Sequence, residues 1–215
     1  MESPIYKRAD IGTSVYVFGY RYNRIIFYSL IINLNRMSFI DKLYAGQKIP
    51  HEFNVLIEIP KNSNIKYEID IETGALNVDR KLLTSMTYPY NYGIIPQTIE
   101  DDGDPIDVLL LGGDPFIPKS VVKSRPVAVL LTEDEEGQDS KIIAVPLAKV
   151  DPTYSAVIDL KDIPATIQNE IKHFFEHYKE LEVGKYVKVT GWGSVETAKE
   201  KIKTAVENYS KLKRS

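Results

Sequence analysis

From Ile65 to Ile71 the side chains alternate strictly: Ile65, Tyr67, Ile69 and Ile71 fall on one face, and Lys66, Glu68 and Asp70 on the other. A period of two is the pattern of a half-buried β-strand. Glu72-Thr73-Gly74 then supplies a turn and Ala75–Arg80 a short return strand, so the pair forms a hairpin and the sheet is antiparallel here. Phe53–Pro60 is β-branched, apolar and ended by proline, which also predicts a strand. Further strands are predicted over Asp107–Leu111, Val121–Leu131, Ile142–Leu147 and Tyr186–Gly191. Short strands at this spacing, punctuated by Gly, Pro and Asp, suggest a barrel.

Two helices follow. The first is predicted to start with Asp162 as cap and Pro164 in its first turn, and to end at Gly184. Its apolar stripe is Ile163, Ile167, Ile171, Phe174, Phe175, Tyr178 and Leu181, close to a 3.6 period. Ser194 caps the second, whose stripe is Val195, Ala198, Ile202, Ala205, Val206 and Tyr209. Strands first and helices last make an α+β domain: a small antiparallel five-stranded β-barrel, OB-like, flanked by two C-terminal helices.

The 215 residues suffice for one domain with a sizeable core. A formal net charge of −3 argues against a nucleic-acid binder held by bulk electrostatics. With no cysteine there is no disulfide, no thiolate nucleophile and no zinc-thiolate site; a reducing, cytoplasmic setting fits. Residues 1–36 differ from the rest. They hold five basic and two acidic groups, which leaves 22 basic and 28 acidic, net −6, for residues 37–215. Their apolar run from Ile25 to Leu34 is too short to span a bilayer. Asn33, Asn35 and Arg36 stand where a signal peptide would place small residues. The expectation is therefore a single domain over 37–215, no membrane segment, and an N-terminal extension over 1–36 that is poorly ordered or lies upstream of a true start at Met37.

Chemistry concentrates in one loop. Asp102, Asp104 and Asp107 are held by Gly103 and Pro105 and set against Ile94, Ile95 and Val108–Leu111. Taken alone, Asp-Gly and Asp-Pro are ordinary turn formers. Such acids repel one another unless a cation joins them, and a hard divalent ion such as Mg²⁺ takes carboxylate oxygens while keeping waters. An EF-hand is excluded by Pro105 and the apolar run after it. Glu133–Asp139 forms a second acidic stretch, read as a loop between two strands. Across the strands, Glu58, Lys66, Glu68, Arg80, Tyr92, Asp134, Asp139 and Lys141 add acids and bases in comparable numbers. Carboxylates for cations beside Lys, Arg and Tyr for phosphate oxygens is the composition of a phosphoryl-transfer site. His173-Phe174-Phe175-Glu176-His177 matches a zinc-peptidase pattern, but its aromatic residues belong to the apolar stripe.

The motifs together resemble a known family. Asp102-Gly103-Asp104-Pro105-Ile106-Asp107-Val108 fits the signature of the soluble (family I) inorganic pyrophosphatases of bacteria and archaea at every position. Around it lie Ile57-Glu58-Ile59-Pro60, Ile65–Asp70, Gly74–Arg80, Tyr88–Gly93, Asp134–Lys141, Val145-Pro146 and His173–Lys179, in unbroken order from about residue 40 to 195. The resemblance implies Mg²⁺-dependent hydrolysis of inorganic pyrophosphate, with several ions per site and Mn²⁺ or Zn²⁺ as substitutes, in a cytoplasmic homohexamer. By the same resemblance Asp102, Asp107 and Asp139 would hold the first metal, and Asp107 would reach the second. Asp134 and Asp139 would take metals arriving with substrate, with Glu68 and Glu58 acting through waters. Asp104 would be the general base. Lys66, Arg80, Tyr92, Lys141, Tyr178 and Lys179 would grip the phosphates. The alternatives are a metal-dependent phosphatase acting on organic phosphates and a nucleic-acid-binding barrel; alternating acids and bases weigh against the latter.

Overall fold

The computed structural model describes residues 38–214, apart from 101 and 136. The expected N-terminal extension lies outside the described residues. Among those described, nine strands and two α-helices follow in order: β1 Phe53–Ile59, β2 Ile65–Ile69, β3 Leu76–Lys81, β4 Asn91–Ile94, β5 Asp107–Leu110, β6 Val121–Asp134, β7 Gly137–Gln138, β8 Lys141–Pro146, α1 Ala165–His177, β9 Val187–Gly193 and α2 Val195–Leu212.

Five strands close a ring. β1 pairs with β4, β4 with β5, β5 with β8, β8 with β6, and β6 returns to β1. Four of these seams are antiparallel, as expected of the barrel. The fifth, β5 to β8, is parallel and sets Asp107 directly opposite Lys141. The expectation of a wholly antiparallel barrel is corrected at this seam: β5 and β8 are separated by β6, so they run the same way. β6 is 14 residues long and serves several partners: its first part pairs with β1, its middle with β8, and its end with β7 and β9. β2 and β3 form a two-stranded sheet of their own.

β5, the middle of β6 and β8 are buried on both faces, and there the sequence is a near-continuous apolar run rather than an alternation. Val108 and Leu110 of β5, with Ile142 and Ala144 of β8, pack in the cluster that includes Ala198, Ile202 and Ala205 of α2. Leu109 and Leu111, with Ile143 and Val145, pack in the cluster that includes Ile171, Phe174 and Phe175 of α1. Each helix thus covers one side of the same central strands.

The first helix is shorter than its apolar stripe predicts. Asp162 does not cap it; that acid ends a 3₁₀ turn, Leu160–Asp162, capped by Asp159, and its carboxylate accepts from the N–H groups of Ile158 and Asp159, each at 3.0 Å. Pro164 stands at the N-cap of α1, and the helix ends at His177 rather than at Gly184. The residues beyond form turns, and Leu181 is exposed. Ser194 caps α2 as predicted, its Oγ accepting from Thr197 N. The far end of α2 is tied to the 3₁₀ turn Ile40–Lys42: the Tyr209 hydroxyl and the Lys213 ammonium both donate to the Asp41 carboxylate, the latter at 2.8 Å. No helix among the described residues is long and apolar enough to cross a membrane.

Candidate active site

A cleft of about 630 Å³ opens beside the barrel. All thirteen predicted site residues line it: Glu58, Lys66, Glu68, Arg80, Tyr92, Asp102, Asp104, Asp107, Asp134, Asp139, Lys141, Tyr178 and Lys179. They come from seven strands, the loop before β5, the turn between β7 and β8, and the residues that follow α1.

Two β-bulges aim acids into it. Along β1 and β4, Ile57 pairs with Gly93 and Ile59 with Tyr92, so Glu58 is the extra residue. It is buried, and its Oε1 accepts from Ile69 N on β2 at 2.8 Å. Burial pushes its carboxyl up to about 8. Along β2 and β3, Lys66 pairs with Arg80 and Tyr67 with Val78, so Asp79 is the extra residue. The bulge brings Asp79 and Arg80, neighbours in sequence, to one cleft wall. There Asp79 accepts from Arg80 and lies 3.2 Å from the Lys66 ammonium, which also pairs with Glu68. Burial works against the charge of Lys66 and Arg80, but their acid partners outweigh it and hold both groups above their ordinary range.

At the floor, the parallel seam places the buried Lys141 ammonium between the carboxylates of Asp107 and Asp139. Burial lowers the Lys141 value, yet the two acids more than reverse that and keep it charged. Asp139 is pushed up, first by burial and then by the neighbouring Asp107 charge, with Lys141 pulling the other way. Tyr92 and Tyr178 are buried in an aromatic floor in which Tyr88 meets Tyr92 edge-on at 5.6 Å and Phe174 at 4.9 Å. Burial, reinforced by nearby acids, raises both hydroxyls far above their usual range, so they remain O–H donors. Lys179 pairs with Asp134 at 3.1 Å.

The acidic loop stands at the mouth. Asp102 and Asp104 are exposed and Asp107 half-buried. Asp104 N donates to Asp102 Oδ1 at 2.9 Å, and Glu100 N to Asp104 O at 2.8 Å. Gly103 sits at φ 95°, a conformation an L side chain resists, which lets the loop turn this tightly. The second acidic stretch is not a plain loop. β6 runs on to Asp134 and turns into β7, and Asp134, Glu135 and Asp139 all face the cleft.

Six charged lining residues escaped the sequence reading as site members: Asp70, Glu72, Asp79, Glu100, Glu135 and Lys185. Burial pushes Glu100 up to about 8. Burial also raises Glu135, but the Lys185 hydrogen bond leads the effects that hold it down at about 2. Asp79 stands beside Arg80 and Glu135 within an acidic run, so adjacency was the available signal. The two histidines of the peptidase-like pattern do not line the cleft; their rings stack on one another at 4.2 Å. Among the described residues no three His, Cys, Asp or Glu side chains are gathered as a ready-made metal cage.

Comparison with known proteins bears on this geometry. The sequence pattern of the inorganic pyrophosphatase family matches residues 55–210. The chain belongs to that family. The inorganic pyrophosphatase of Saccharolobus solfataricus is 57% identical over 166 residues, covering 77% of this chain and 96% of that one. That of Aquifex pyrophilus is 54% identical over 169 residues, covering 79% and 96%. Among solved structures, the Helicobacter pylori inorganic pyrophosphatase superposes with a TM-score of 0.76 at 48% identity over 79% of this chain and 99% of its own. The Thermus thermophilus enzyme gives 0.76 at 42% identity over 82% and 99%. Within this pyrophosphatase fold, the closed five-strand ring carries Tyr92, Asp107 and Lys141 of the floor. The hairpin and the loop at 102–107 supply the rim.

Proposed function

We propose that this pyrophosphatase-family chain hydrolyses inorganic pyrophosphate to two phosphates in the cleft, in a reaction that depends on Mg²⁺. The observation that carries the proposal is that one cleft gathers six carboxylates for cations, a seventh carboxylate to act as base, and six donors for phosphate oxygens.

The donor chemistry fits Mg²⁺. The candidate ligands Asp102, Asp107, Asp139 and Asp134, with Glu68 and Glu58 acting through waters, offer only hard oxygen atoms. Asp107 and Asp139 converge on one ammonium group, so their oxygens already surround a cationic position. Mg²⁺ takes one or two carboxylates and keeps its remaining waters, which suits acids spread along a cleft rather than closed into a cage. When bound, it would supply acidity to a coordinated water and neutralise charge on the phosphates. Mn²⁺ or Zn²⁺ would substitute through the same oxygens.

The remaining steps belong to the protein. Asp104, at the exposed mouth, takes the proton of the attacking water as general base. Lys66 and Arg80 from the hairpin, and Lys141 and Lys179 opposite, stabilise charge that moves onto the leaving phosphate as the bridging P–O bond breaks. Tyr92 and Tyr178 donate directional hydrogen bonds because burial keeps them protonated. A cytoplasmic homohexamer, which the sequence motifs of the family imply, belongs to the same proposal; light scattering would report six times the mass of one chain.

The test is phosphate release from pyrophosphate by purified protein in Mg²⁺, against EDTA and against ATP. Fast release that EDTA abolishes, with ATP a poor substrate, is expected. No release from folded, metal-loaded protein, or a preference for ATP, would overturn the proposal.

A further inference from the structure

The Arg80 guanidinium is braced by an acid outside the cleft. Its Nε donates to Glu182 Oε1 at 2.9 Å, across 102 residues of sequence. Glu182 lies in the turns between α1 and β9, and its side chain is only 12% exposed. Those turns open with Tyr178 and Lys179, both of which line the cleft, whereas Glu182 meets Arg80 from outside that lining. With Nη1 donating to Asp79, two of the five guanidinium N–H groups are engaged, and the others remain for a ligand. The β2–β3 hairpin that carries Lys66 and Arg80 is a two-stranded sheet, and such a ribbon depends on ties to its surroundings for a fixed position.

We propose that Glu182 is a positioning residue for pyrophosphate hydrolysis: by fixing Arg80 through Nε, it locks the hairpin to the turns that present Tyr178 and Lys179, so that both walls grip one pyrophosphate. The proposal rests on the pyrophosphatase reading above. Arg80 keeps Asp79 as an acid partner when Glu182 is removed, so its charge is not left uncompensated and the effect belongs in substrate binding and turnover.

The experiment is a double-mutant cycle on the full chain with steady-state kinetics and thermal melting. Glu182→Ala raises KM for pyrophosphate about tenfold, the scale of one charge-assisted hydrogen bond, with little change in melting temperature. Glu182→Asp keeps the charge but shortens the reach, and raises KM as well. Glu182→Gln keeps an acceptor oxygen and loses least. Combined with Arg80→Ala, the Glu182→Ala change adds nothing further, because the group it positions is gone. KM and kcat within about twofold of wild type in Glu182→Ala, or effects that multiply in the double variant, would overturn the proposal. A lowered KM would also overturn it, since it would mean that Glu182 holds Arg80 back. Should Glu182→Ala not fold, the Asp and Gln variants decide. Should wild-type protein release no phosphate, the functional reading falls by itself; the same cycle measured as affinity for imidodiphosphate then decides the Glu182–Arg80 coupling separately.

Discussion

The backbone N–H of Ile69 donates to Glu58 Oε1 at 2.8 Å, joining the β2–β3 hairpin to the barrel wall through a buried carboxyl group. Burial holds that group at about 8, whereas it ionises near 4.5 in the unfolded chain. Between those values the folded state binds the extra proton, so stability falls as pH rises from about 4.5 to about 8. In metal-free protein in EDTA, Glu58→Gln keeps an acceptor for Ile69 and removes this penalty. It should therefore melt progressively higher than wild type as pH increases through the window. Parallel melting curves at all pH values would refute the burial argument. Glu58→Ala instead strands the Ile69 N–H, at a cost of about 1–3 kcal/mol.

Asp104 occupies the centre of the acidic loop, beyond the buried floor, and its own backbone helps to shape that loop: its N–H donates to Asp102 Oδ1, its carbonyl accepts from Glu100 N, and Gly103 turns the chain at φ 95°. Asp104→Asn should fold as wild type and lose roughly 10²- to 10⁴-fold in kcat, the usual worth of a positioned base. Single-turnover kinetics with a matched thermal melt check this. Full activity would remove Asp104 from the base role.

Asp102 and Asp107 are assigned to the cation rather than to the proton. Asp102→Asn and Asp107→Asn should shift the Mg²⁺ concentration for half-maximal activity upward by about tenfold or more, because each removes a charged oxygen ligand. Asp107→Asn carries a second effect, since it takes one of two acids from the buried Lys141. It should lower the melting temperature, while Asp102→Asn, at an exposed position, should not. Magnesium titrations coinciding with wild type would exclude these ligands.

Much of this was legible in sequence because it follows simple periods. The hairpin was read from the alternation at Ile65–Ile71, the second helix from Ser194 and its stripe, and the cleft members from acids and bases recurring on separate strands. What escaped reading breaks those periods. Asp79 reaches the cleft through a bulge, and an inserted residue leaves no trace in a one-dimensional alternation. β4 was unread because Asn91–Ile94 is four residues buried on both faces, with glycine inside it. The end of α1 was overrun because Leu181 continues the apolar spacing by chance and in fact faces solvent. The parallel seam that sets Lys141 against Asp107 is a property of strand order, which no local pattern encodes.

Gly93 marks where the barrel leaves no room for change. A Cβ there would stand 2.0 Å from Leu56 O, 2.8 Å from Leu56 C and 2.9 Å from Ile57 Cα. All three are backbone atoms of the facing strand, so no side-chain rotation relieves the clash. Gly93 pairs with Ile57, next to the bulge that turns Glu58 into the cleft, and it follows Tyr92 on the floor. Separating β1 from β4 to admit a methyl group would break ladder hydrogen bonds and displace both residues. Gly93→Ala should therefore cost more than about 4 kcal/mol and yield little soluble protein at 37 °C, beyond the range of an ordinary core substitution. Soluble yield and a denaturant melt give the answer. A Gly93→Ala protein that folds with a near wild-type midpoint would show that the β1–β4 seam is wider than the structure places it.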